Sequence, residues 1–126
     1  MFNRIRQMLR NDDDPIVERI CSRTKLRRAV ILDVISRFET ARYVEIAGLL
    51  EQQADETLYR DPIEFMPEFR ENLALAENDA NIELDDRRRG MGFCHLFWRT
   101  KKRILREKYG IDWLSPSDMN PMVKFD

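Results

Sequence analysis

Cys94 and His95 stand side by side, and a thiol next to an imidazole is the pairing from which a nucleophile and its base are made. On a helix, however, adjacent residues point about 100° apart, so the two side chains do not face each other. Cys94 also falls on the apolar arc of its segment, a setting in which a thiol is inert. The expected roles are therefore a buried structural Cys94 and a surface His95. Cys21, Cys94 and His95 are the chain's whole set of Cys and His residues, one short of the four ligands of a closed zinc site. The carboxylate pairs Asp12–Asp14 and Asp85–Asp86 read as helix caps and loop solvation. The sequence holds no Gly-rich phosphate loop, G-x-S-x-G, H-E-x-x-H or C-x-x-C. No enzymatic activity, metal or cofactor is expected.

Charge is the stronger chemical signal. Residues 61–86 hold nine acids against Arg70 alone, and residues 87–108 hold nine bases against Glu107 alone. Within the segment GMGFCHLFWRTKKRILREKYG, helical spacing puts Phe93, Cys94, Phe97, Trp98, Ile104, Leu105 and Tyr109 on one arc. Arg99, Lys102, Arg103 and Arg106 fall opposite, with His95 at their edge. Four basic side chains in register could meet a run of phosphates, with Arg87, Arg88 and Arg89 assisting. The competing reading is neutralisation by Glu64, Glu68, Glu71, Glu77, Asp79, Glu83, Asp85 and Asp86 of the neighbouring block. Lys101 and Lys108 sit inside the apolar arc and must snorkel or find carboxylates; in the neutralisation reading each lies near a carboxylate of that block, while Arg99, Lys102, Arg103 and Arg106 stay solvated.

The elements that position these residues read as helical throughout. Residues 2–10 form a short amphipathic stretch, with Phe2, Ile5 and Leu9 on one side, read as a docked helix rather than a membrane anchor. Asp14 and Pro15 open a helix that runs to 38 or breaks near Ser22 or Thr24. Leu26, Val30, Val34 and Phe38 form one row of it, with Ile31 and Ile35 beside them, and a helix apolar this far round is central. Thr40 is the expected cap of a helix over ARYVEIAGLLEQQ that pairs with its predecessor as a hairpin or corner. Asp61 and Pro62 start one turn, followed by a helix over 67–77 and an acidic loop over 78–86. A long helix over 88–109 ends at Gly110, with Ile111 folding back on Leu105. The tail from Trp113 to Phe125 is too apolar to be free and should pack on the body or on a partner.

The stretch VEIAGLLEQQADETLYR, residues 44–60, resembles the middle of bacterial helix-turn-helix domains, where an "IA-x-LL" helix precedes a turn and a second helix carrying a "TLYR"-like string. The resemblance implies a recognition helix over 54–60 and DNA as partner. It departs from that pattern in having Glu51 and Gln52 where the turn's glycine belongs, and in placing Asp55 and Glu56 where phosphates and bases would lie.

These readings make the 126-residue chain an all-α protein of four or five helices in one domain, with a core from 26–50 and 93–105 wrapped by residues 113–126. No 18-residue apolar run and no signal-peptide h-region appear, and two cysteines suit a reducing compartment, so a bacterial cytoplasmic protein is expected. Its expected function is non-enzymatic interaction or regulation through a protein partner, itself included as a homodimer. Nucleic-acid binding, through the basic face of 88–109 or a degenerate helix-turn-helix at 44–60, is the alternative.

Overall fold

The computed structural model describes residues 14–125, and the amphipathic stretch 2–10 lies outside them. Among the described residues every regular element is helical and there is no strand. Six α-helices run α1 (Pro15–Arg23), α2 (Arg28–Ile35), α3 (Tyr43–Glu51), α4 (Arg70–Glu83), α5 (Phe93–Tyr109) and α6 (Pro116–Met119). Three 3-10 turns, Thr40–Arg42, Pro62–Phe65 and Pro67–Phe69, punctuate them. The chain divides into two compact units, the first ending at Pro62 and the second beginning at Ile63.

In the first unit, Asp14 caps α1 by accepting from the Ile16 N–H, with Pro15 opening the helix. The run that could have continued to 38 breaks at Thr24. Its hydroxyl donates to the Ile20 carbonyl and accepts from the Leu26 N–H, so the side chain takes over bonds that a continuing helix would make. α1 is the main partner of both α2 and α3. Val17, Ile20, Val30, Ile31, Val34, Ile35, Ile46, Ala47 and Leu50 are all buried, as the 3- and 4-residue spacing of these positions requires. Thr40 is not a cap: it begins a 3-10 turn, and α3 starts at Tyr43. On the rim, Arg19 makes a paired contact with Glu51, Nε and Nη2 donating at 2.8 and 3.0 Å. Those bonds hold the Glu51 carboxyl below its ordinary value.

Residues 52–61 correct the helix-turn-helix resemblance. No helix forms over 54–60; the chain there is a series of turns. Gln53 explains it. Its side chain is buried, its Nε2 donates to the carbonyls of Leu49 and Arg60, and its Oε1 accepts from the Arg60 N–H at 2.6 Å. The amide thus clips the two ends of the loop together. Tyr59 is buried beside it, with its hydroxyl accepting from the Lys25 N–H. Asp61 is a second surprise. Beyond preceding Pro62, it lies fully buried and accepts both Arg37 Nη1 and Nη2 at 2.8 Å.

In the second unit, α4 runs six residues past its expected end and occupies most of the predicted acidic loop. Leu73, Ala76, Ala80 and Leu84 are buried at helical spacing. They outweigh the polar look of Asn78, Asp79 and Asn81, of which Asn78 is exposed and the other two half-buried. α4 and α5 pack as an antiparallel pair, since Asp79 meets Lys108 while Glu83 meets Arg103. α5 begins at Phe93 rather than 88, because Gly92 holds φ 84, a left-handed conformation suited to glycine. It ends as expected: Gly110 is left-handed at φ 67, and the Ile111 N–H returns to the Leu105 carbonyl at 2.9 Å. Ile111, Trp113 and Met119 of the tail are buried. Ser115 and Asp118 cap the single-turn α6 reciprocally. Residues 121–124 are exposed and Phe125 is half-buried, so the aromatic end is less covered than expected.

Candidate interaction surface on α5

α5 presents less apolar surface to its own unit than its arc implies. Only Thr100, Ile104 and Leu105 are buried; Phe93, Cys94, Phe97 and Trp98 are half-buried. The expected burial of Phe97 and Cys94 is corrected accordingly, because the amino-terminal half of α5 extends beyond the buried stripe of α4. Thr100 fits the interior by donating its hydroxyl to the Leu96 carbonyl at 2.8 Å.

The basic face is largely supplied with carboxylates. Arg103 Nη2 donates to both Glu83 oxygens at 2.6 Å, and its Nη1 reaches Glu107 one turn along at 3.4 Å. Glu83 is the first cause of the guanidinium's raised pKa. Lys108 donates to Asp79 at 2.9 Å, and the Tyr109 hydroxyl donates to the same oxygen. Lys108 and then Tyr109 hold the Asp79 carboxyl below its ordinary value, and the Lys108 ammonium is correspondingly raised.

Lys102 and Arg106 find their acids elsewhere. Lys102 donates to Asp118 at 2.7 Å and Arg106 Nε to Asp112 at 3.3 Å, so the tail, not the 61–86 block, supplies these partners. Burial works against the charge of Asp118, but Lys102 and the Ser115 N–H outweigh it, and the carboxyl is lowered on balance. Because these pairs lie at the surface, they contribute little to stability. Their consequence is that these cations are already engaged.

Arg99 stays solvated as expected, whereas Lys102, Arg103 and Arg106, expected to be solvated too, are ion-paired, and the expectation for Lys101 is also corrected. Lys101 does not meet a carboxylate among the described residues. Its Nζ lies 4.6 Å from the centre of the Trp113 ring, a cation–π contact, while the Trp113 indole N–H donates to Glu64 at 3.1 Å. An acid from the expected block is thus present, but it accepts from the indole and forms no ion pair with the cation. Arg99 is exposed and has no acidic partner among the described residues. Arg87, Arg88 and Arg89 are exposed between α4 and α5. Arg89 lies over Phe93 with 4.6 Å to the ring centre and reaches Asn81 at 3.5 Å.

Arg99 lines an open cavity of about 260 Å³ with His95, Trp98, Lys102, Ser115, Ser117 and Asp118. At its edge, the His95 Nε2–H donates to the Phe125 carbonyl at 2.9 Å. The Phe125 ring meets Trp98 edge-on with centres 5.1 Å apart and His95 at 6.4 Å, while His95 and Trp98 are 5.6 Å apart. Through Nε2 the imidazole is thus engaged with the tail. No group of three or more His, Cys, Asp or Glu among the described residues could hold a metal ion. No helix among the described residues is long and apolar enough to cross a membrane. Sequence reasoning placed His95 correctly at the surface but missed its partner, since nothing in the spacing of residues 95 and 125 signals a contact. No family model, curated protein or solved structure matches the chain.

Proposed function

We propose that the chain is a non-enzymatic cytoplasmic protein that acts by binding another protein, in a regulatory role. One observation supports this over nucleic-acid binding: Lys102, Arg103, Arg106 and Lys108 each have a carboxylate of their own unit within 3.3 Å. A phosphate approaching this face must displace those acids and meets their repulsion, so it loses much of the counterion-release advantage of an open basic face. The second reading keeps a foothold in Arg99, Arg87 and Arg88, which are exposed and have no acidic partner among the described residues.

Fluorescence-polarisation titration with mixed DNA and RNA at low salt tests the choice. The expected result is no binding at micromolar protein and no effect of Arg103→Glu. Micromolar or tighter binding that falls steeply with added salt and is weakened by Arg99→Glu or Arg103→Glu would replace the proposal with the second reading.

A further inference from the structure

Resting on the protein-binding reading above, we propose that the cavity beside His95, Trp98 and Arg99 is a docking site for a short peptide that presents an aromatic ring and a carboxylate, and that Phe125 occupies its aromatic seat in cis. The occupant is visible in the fold. Phe125 is seated edge-on against Trp98 and His95, and its carbonyl accepts from His95 Nε2–H. The four residues before it are exposed, so the ring is held by this seat and not by the segment that carries it. Trp98 gives an aromatic surface, His95 a donor for one backbone carbonyl, and together they define a position for a single aromatic residue of an extended segment.

The charge requirement comes from the adjoining cavity. Lys102 is answered there by Asp118, whereas Arg99 has no acid among the described residues. A guanidinium lining a cavity next to an aromatic seat favours a ligand with a carboxylate near its ring, since Arg holds carboxylates in a planar, paired geometry. A cis occupant lowers the apparent affinity of any competing peptide in proportion to the fraction of chains whose seat is open. The tail is thus a built-in competitor that a partner of the same chemistry must displace.

The probe is a fluorophore-labelled hexapeptide, PMVKFD, titrated by anisotropy against the full chain and against full-length Phe125→Ala. Phe125→Ala is expected to bind it about tenfold more tightly than the unaltered chain, as for a seat open roughly a tenth of the time. Trp98→Ala in the Phe125→Ala background should abolish binding. PMVKAD should not bind, and PMVKFN should bind more weakly than PMVKFD, a difference that Arg99→Gln removes. Equal affinity for the unaltered chain and Phe125→Ala, absence of binding by Phe125→Ala, or indifference to Trp98→Ala would overturn the proposal. So would sedimentation showing a dimer that Phe125→Ala converts to monomer, because the occupant would then be a second copy. Failure in the peptide arms leaves the nucleic-acid titration unchanged, so the two readings fail separately.

Discussion

Replacing Leu50 with aspartate is expected to unfold the first unit. Leu50 is 0 % exposed on α3 and lies among buried Ile46, Ala47 and the apolar faces gathered around α1. Deleting such a side chain costs about 2–5 kcal/mol through lost burial and the cavity left behind. An unpaired carboxylate in the same place adds several kcal/mol more, whether it stays charged or takes up a proton to avoid it. Together these are comparable with the roughly 5–15 kcal/mol by which domains are stable. Far-UV circular dichroism of Leu50→Asp should show a loss of helix, and Val34→Asp should behave alike. A folded Leu50→Asp protein with unchanged helicity would contradict the placement of α3 in the core.

Asp61→Ala is expected to be the next most damaging change. The carboxylate is fully buried and binds Arg37 through both terminal nitrogens at 2.8 Å; the Arg37 side chain itself is only 13 % exposed. Its Nε is already committed to the Val34 carbonyl at 3.2 Å. Removing the acid leaves a largely buried guanidinium without its countercharge, a loss of about 3–5 kcal/mol for pairs of this kind. Arg37→Met combined with Asp61→Ala should cost clearly less than the sum of the two single changes. Denaturant unfolding of the four proteins measures this, and additivity would show that the pair is not coupled.

These two sites mark what the sequence could and could not reveal. Leu50 was legible because burial on a helix repeats every three or four residues, and the rows of α2 and α3 carry that period plainly. The left-handed end of α5 was legible because Gly110 and Ile111 form a local motif. Asp61 was not, since its partner is 24 residues away and its local neighbour, Pro62, suggests a helix start instead. The extension of α4 was hidden for a related reason: Asn78, Asp79 and Asn81 look like a loop, and only the packing of Ala76, Ala80 and Leu84 overrules them. Likewise the similarity of residues 44–60 to a helix-turn-helix was a local pattern, undone by the Gln53 clip.

On the basic helix, the opposing charge blocks correctly suggested a carboxylate for Lys108, but Arg103, expected to stay solvated, is paired with Glu83 of the same block. They could not assign Lys102 and Arg106 to Asp118 and Asp112, because those acids lie beyond the glycine cap and only the return of the tail brings them back. Nor could they place Lys101 over Trp113.

Engagement of the carboxylates around α5 by its cations is measured directly by an NMR pH titration of the side-chain carboxyls of Asp79 and Asp118. A carboxyl paired in the folded state binds its proton less readily, so its midpoint falls and the pair persists until the pH drops through that lowered value. Both groups are expected to titrate below the ordinary aspartate value of 3.8, with Lys108→Met moving Asp79 back towards it. Midpoints at or above 3.8 for both, unmoved by Lys108→Met, would mean that the basic face of α5 stands open, and would contradict the account.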